Sequence, residues 1–381
     1  MKHLNIFLIL AGALLFVQCS TPEAGQSANF LVPFTKNLDV NPCLSPSDSF
    51  LFNCPVLQTE VRWEAKDVFN PASVVKGDTV FLLYRAEDVV GKYNGTSRIG
   101  LAYSLDGYHF EKEQEPVLFP ENDEYKKYEW EGGCEDPRLV EDENGIYYLT
   151  YTAYDGDKAR LFVATSNDLR HWKKYGSVFE KAGDEYVAMW SKAGSIVSRQ
   201  ENGRMIATKI NGKYWMYWGE SNIYMATSDN LIDWTPLLET DPQKMQLDTM
   251  RKYNTAFQSL FSTREGKFDS ELVEPGPPAM ITEQGILFIY NSKNSPTTGD
   301  KNLAPGTYAA GQIILDKKDP TKVLYRTDKW FITPDQPFEI TGQVNNVCFV
   351  EGLAFFNDKW LLYYGTADSK IAVAESDKKL D

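Results

Sequence analysis

The chain offers little to a metal and less to a nucleic acid. It has 3 histidines and 5 cysteines in 381 residues. Cys134 and Cys348 lie in strand-like segments without metal-ligand spacing and read as buried thiols; His109 and His171 fall in turns. A formal net charge of −14, with no cluster of Lys and Arg, excludes a phosphate-backbone partner, which needs concentrated cations. The apolar stretch from Ile6 to Val17 is about a dozen residues, short of the roughly 20 that span a bilayer. Helical periodicity is nearly absent elsewhere, which turns the reading toward strands.

What is there begins around that stretch. Lys2 and His3 precede it and Gln18 and Cys19 follow it, the layout of a secretory signal peptide. A cysteine at that place resembles a bacterial lipoprotein cleavage site. Residues 1–19 are therefore expected to be a signal peptide of lipoprotein type, with a lipid anchor at Cys19 as the only membrane contact. Residues 20–60 read as a tether and N-terminal extension; Ser20 to Ala28 are polar, with Pro and Gly. Export to the periplasm or cell surface permits a disulfide between Cys43 and Cys54, 11 residues apart in a Pro-rich stretch.

The body from 61 to 381 is repetitive. Ala102-Tyr103-Ser104-Leu105-Asp106, Ala164-Thr165-Ser166-Asn167-Asp168 and Ala226-Thr227-Ser228-Asp229-Asn230 recur at intervals of 62 residues. Fainter copies place the repeated alanine at Ala310 and Ala374, with the extra length of the fourth interval assigned to 240–267. An apolar and aromatic strand precedes each copy: Phe81–Tyr84, Ile146–Leu149, Tyr214–Tyr217, Leu287–Tyr290 and Trp360–Tyr363. Units of about 60 residues with several short strands suit four-stranded blades, so the fold expected is all-β, a five-bladed β-propeller.

In such a ring, polar residues at the starts of inner strands and the ends of the next strands converge on one funnel. The first set is Asn70, Glu135-Asp136-Pro137-Arg138, Lys192, Glu274 and Asn345-Asn346. The second is Arg85, Glu87, Asp88, Asp155, Glu220, Asn291, Lys293 and Asp368. Carboxylates interleaved with Arg, Lys and Asn can hold sugar hydroxyls and move protons at an acetal, which takes two carboxylates. About half are expected to be structural, Arg138 and Glu135 first.

These residues carry a resemblance to glycoside hydrolase family 130, the mannoside phosphorylases and β-mannosidases, from about Trp63 to Glu375. The matching pieces are Asn70-Pro71-Ala72, Tyr84-Arg85-Ala86, Ser97–Ala102, Gly133-Cys134-Glu135-Asp136-Pro137-Arg138, Tyr151–Tyr154 and Tyr364–Asp368. The resemblance implies a five-bladed propeller, Asp136 as general acid working through a mannose hydroxyl, and Arg85, Arg98 and Asp368 as holders of the mannose, joined by Lys192. The phosphorylases also carry a His-Arg pair and a Tyr-His pair for phosphate. Here Trp218-Gly219-Glu220 and Tyr290-Asn291 stand in those places.

A carboxylate at Glu220 repels phosphate and can deprotonate water instead, and Glu274, before Pro275-Gly276, is a second candidate base. The expected activity is therefore an inverting, exo-acting β-mannosidase, with β-1,2-linked mannosides the substrate that the resemblance implies, with Asp136, Glu220 and Glu274 catalytic, Asn70, Arg85, Arg98, Lys192, Asn291 and Asp368 binding the substrate, a mannose-containing oligosaccharide as partner, and neither metal nor organic cofactor. The alternatives are a phosphorylase with a phosphate site at Arg85, Lys192 and Lys293, and a non-catalytic glycan-binding lipoprotein.

Overall fold

The computed structural model describes residues 29–93, 95–241 and 256–380. They are mostly β, with three α-helices of four residues each among them. Five antiparallel units follow one another. Unit one is Asp67–Lys76, Thr79–Glu87, Ser97–Ser104 and Glu111–Lys112; unit two is Gly133–Glu141, Tyr147–Tyr154, Ala159–Ser166 and Lys173–Ser177. Unit three is Ser195–Ile196, Tyr214–Trp218, Asn222–Ser228 and Trp234–Pro236. Unit four opens with Leu272–Pro275 and Met280–Thr282 and continues through Gly285–Lys293, Tyr308–Leu315 and Val323–Arg326. Unit five is Cys348–Phe356, Lys359–Thr366 and Lys370–Ser376, and its fourth strand is Thr35–Lys36 from the other end of the chain.

The repeated Ser-x-Asp has a local purpose. In units one to three the serine hydroxyl accepts two backbone N–H groups of the turn: Ser104 from Asp106 and Gly107, Ser166 from Asp168 and Leu169, Ser228 from Asn230 and Leu231. The Asp106, Asp168 and Asn230 side chains then accept the next two. Such side-chain to backbone bonds fix a turn that the strands alone would leave open. His109 and His171 lie against Asp106 and Asp168 with exposed rings.

A second repeat runs through the interior. In unit one, Tyr84 donates to the buried Glu64, which pairs with Lys112. Unit two has Tyr151, Glu129 and Lys174; unit four Tyr290, Asp269 and Arg326; unit five Tyr364, Glu339 and Lys36. Each acid precedes its unit's first strand, each tyrosine is on the second strand and each cation on the fourth, so one triad ties the outer strand to the inner. Breaking a buried pair by removing one partner costs about 3–5 kcal/mol. Unit three replaces the tyrosine with Trp218.

The triads correct the register of the fourth copy. The cation pairs with Ala102, Ala164 and Ala374 in units one, two and five, but with Ile313, not Ala310, in unit four. Gly311 lies against Tyr290 as Gly100 lies against Tyr84; an added Cβ would stand 2.6 Å and 2.4 Å from the two rings. The sequence match slipped by three residues because the small residues Ala309 and Ala310 just before Gly311 mimic the motif.

Residues 29–60 pack on units four, five and one: Leu31 is buried and exchanges hydrogen bonds with the Gln312 side chain, Leu44 is buried and bridges to Ile371, and Leu51–Cys54 pairs with Thr59–Arg62. Cys43 and Cys54 are not joined. The Cys43 thiol reaches the Ile371 carbonyl and Cys54 accepts from Arg98, so the expected pairing fails because the two sulfurs serve different neighbours. Residues 1–19, where a signal peptide is expected, and the tether Ser20–Ala28 lie outside the described residues, as does much of 240–267.

Candidate active site

Three inner strands break their ladders beside the aromatic row formed by Tyr84, Tyr151 and Tyr364, to which Tyr290 of unit four corresponds. In unit one the register slips between Phe69 and Pro71, in unit two between Glu135 and Arg138, and in unit five between Val350 and Gly352. The residues thrown out of the ladder are Asn70, Asp136 with Pro137, and Glu351. Unit four presents Glu274 at the same row, paired with Asn291, and in unit three the Lys192 carbonyl accepts from Gly219 beside Trp218. Asn70 and Asp136 have φ of 48° and 46°, a left-handed conformation that an ordinary side chain avoids and a bulge imposes. Polar side chains are thus aimed at one place from five units.

Asp136 is the hub. Its Oδ1 accepts from Asn70 Nδ2 at 2.9 Å and Arg85 Nη1 at 3.2 Å, and its Oδ2 lies 3.6 Å from Lys192 Nζ. Lys192 Nζ is also 3.3 Å from Glu274 Oε1 and 3.8 Å from Glu220 Oε2. Sharing one ammonium confines Asp136 Oδ2 and Glu274 Oε1 to within about 7 Å of each other, an upper bound that reaches only the lower edge of the roughly 6.5–9.5 Å separation of an inverting acid and base. Arg85 reaches Glu87 and Glu135 as well, at 2.8 Å and 2.9 Å.

Charge and burial divide these carboxyls. Burial alone would push Asp136 up, but Arg85, Lys192 and the Asn70 amide hold it well below the usual carboxylate range. Burial pushes Glu135 up to about 7 against Arg85, Glu274 up to about 7 against Lys192, and Asp368 up to about 7 against Arg85. Lys192 is driven well above the ordinary lysine range, since Glu274, Asp136 and Glu220 outweigh its desolvation. Titratable groups pushed apart by their surroundings are the pattern of an acid–base site. Among the described residues no group of His, Cys, Asp and Glu is arranged to hold a metal.

Three expected ligands lie elsewhere. Arg98 is fully buried, bound to Asp88 at 2.7 Å and to the Thr96 carbonyl. It cannot meet a sugar, and instead anchors the loop whose N–H groups of Val90, Gly91 and Thr96 converge on Asp88. Asn291 is also fully buried; it donates to the Val350 carbonyl and accepts from the Val350 N–H, clamping unit four to unit five. Lys293 is spent on Glu271 at 2.8 Å. Asn345-Asn346, read as the contribution of unit five, precede the strand; Glu351 holds that position, and its one sequence signal is a lone carboxylate in the apolar run Cys348–Phe356.

A mostly β body that gathers carboxylates around shared Arg and Lys side chains defines a glycoside-active enzyme. The chain belongs to glycoside hydrolase family 130, whose sequence model, described as beta-1,4-mannooligosaccharide phosphorylase, matches residues 35–380. It is 31% identical to a 1,2-beta-oligomannan phosphorylase of Thermoanaerobacter sp. (strain X514), over 85% of this chain and 95% of that protein. A glycosyl hydrolase structure from Bacteroides ovatus is 42% identical, covering 92% of this chain and 96% of its own, with a TM-score of 0.84. Another, reported under the statement that the GH130 family of mannoside phosphorylases contains glycoside hydrolases that target beta-1,2 mannosidic linkages in Candida mannan, is 42% identical, covers 93% and 99%, and has a TM-score of 0.85.

Proposed function

We propose that this chain is an inverting, exo-acting β-mannosidase for β-1,2-linked mannosides, built as a five-bladed propeller over residues 61–381. The observation that carries the reading is Lys192 ringed by Asp136, Glu220 and Glu274. Three carboxylates around one ammonium repel a phosphate dianion, whereas a neutral sugar and a water meet no such barrier. Glu274 is the base: its buried Oε1 faces the Lys192 ammonium at 3.3 Å but is in no hydrogen bond of proper geometry, and burial pushes the group up to about 7. Asp136 is the acid. It is ionised in the free protein, so it gains its proton when a sugar hydroxyl comes between it and its cations, and Glu135, which shares Arg85, is a proton source. Asn70, Arg85, Lys192 and Asp368 hold the mannose.

The second reading, phosphorolysis, rests on the named activity of the 31%-identical relative. Incubation with β-1,2-mannobiose, with and without phosphate, separates the two: free mannose in the absence of phosphate supports hydrolysis, and mannose 1-phosphate overturns it. Export and lipid attachment at Cys19 belong to the same proposal, and the mass of the N-terminal peptide from membrane-extracted protein tests them.

A further inference from the structure

Arg138 crosses from unit two to units four and five. From its strand, two residues past Asp136, it donates Nε to the Gly276 carbonyl at 3.0 Å and Nη2 to the Pro275 carbonyl at 2.6 Å, while Nη1 returns to the Asp136 carbonyl at 3.3 Å. Nη2 also faces Glu351 Oε1 at 2.8 Å and Glu274 Oε1 at 3.7 Å. One guanidinium thus binds the backbone of the acid and the two residues that follow the base. Both Arg138 and Glu351 are almost wholly buried.

We infer that Arg138, held in place by Glu351, is a strut that fixes the separation of Asp136 from Glu274, making both of them positioning residues for the reaction proposed above, on which this inference rests. The fork geometry is essential: guanidinium presents several donors in one rigid plane, so it can reach two carbonyls on one strand and a third on another, which a single ammonium cannot. Glu351 is turned inward by its bulge, and the Asn291 clamp on the preceding Val350 fixes that bulge. Gly276 makes the approach possible, since a Cβ there would stand 2.9 Å from the Ile289 carbonyl and 3.0 Å from that of Val350. Neither oxygen of Glu351 has a hydrogen-bond donor in proper geometry, which leaves Arg138 as its partner.

Three variants separate spacing from charge. Arg138→Lys keeps the charge and loses the fork; its kcat should fall by about 10²-fold, the usual scale for an ångström of misplacement, with KM within about threefold because Arg85 and Lys192 still hold the sugar. Arg138→Met also removes a cation from Glu274, so the acidic limb of its pH profile should move to higher pH, whereas the Lys variant should leave that limb in place. Glu351→Asp, shortened by one methylene, should give a milder kcat loss of the same kind and remains informative if the Arg138 variants do not fold. A folded Arg138→Lys protein with kcat within twofold of wild type overturns the strut. Wild-type protein that releases no mannose overturns the activity instead, and the strut is then judged by a crystal structure of Arg138→Lys, in which an unchanged Asp136–Glu274 spacing refutes it.

Discussion

Lys192 and Glu274 face each other at 3.3 Å, Nζ to Oε1, the shortest of the three contacts that the ammonium makes with carboxylates. The lysine is the one cation that Asp136, Glu220 and Glu274 have in common, so replacing it alters acid and base together. Lys192→Met should cut kcat/KM by about 10³-fold or more, and should raise the acidic limb of the pH–rate profile, since Glu274 loses the charge that opposes its desolvation. A variant with an unmoved limb would show that Glu274 is not the base.

Asp136→Asn should abolish mannose release, with a loss of about 10³-fold or more, while the far-ultraviolet spectrum stays that of the wild type. The amide keeps the shape of the bulge and some of its hydrogen bonds, but it cannot carry the proton. Substantial residual turnover on β-1,2-mannobiose would remove Asp136 from the acid role.

The two candidate bases differ in a chemical rescue. Glu274→Gly opens space for azide, and attack from the water side with inversion would yield α-mannosyl azide. Glu220→Gly, a change at a more exposed position, should lose less activity and give little of that product. The opposite ranking would make Glu220 the base.

Stability should depend on pH through the same buried acids. Glu135, Glu274 and Asp368 titrate near 7 in the folded chain and lower when unfolded, so the folded chain holds protons that the unfolded one has already lost. Stability therefore falls as pH rises from about 4 to 7 and levels off above. Asp136, Asp106 and Asp168, held below the usual range, act in the other direction, and their contribution is lost only below about pH 4. The melting temperature should drop by about 5 °C between pH 5 and pH 8; a rising or flat profile would contradict the electrostatics of the site.

Asn291→Ala should act on stability alone. Two buried bonds to Val350 are lost, with a cost of about 1–3 kcal/mol for each polar group left unsatisfied, so thermal unfolding should come earlier while KM for the disaccharide changes less than twofold. A large KM effect at preserved stability would return Asn291 to the sugar-binding set.

The strands and most of the funnel were legible because the apolar, aromatic runs and the repeated serine turns are local signals. Asp136, Lys192, Glu220 and Glu274 could be found as charges beside strand-like runs, and the structure brings all four together. Arg98 and Asn291 could not be sorted from them, since a residue at the mouth of a strand and one turned under it read alike in sequence. Glu351 and the Tyr–carboxylate–cation triads were invisible for a different reason: their partners lie tens to hundreds of residues apart, and nothing local marks the pairing.

Thr35 pairs with Glu375, and Lys36 with Ala374. During synthesis at about 5–20 residues per second, Lys36 leaves the ribosome at least tens of seconds before the strand it completes. The strand pairings within units one to four are between neighbours in sequence, whereas the last unit demands a pairing across about 340 residues, a slow kind to find. Until then Glu339 and Tyr364 lack their cation, and the outer edge of Lys370–Ser376 is an open strand able to pair with another molecule. Completion of the enzyme is therefore a late, single event, and the interval before it is when this chain is most exposed to aggregation.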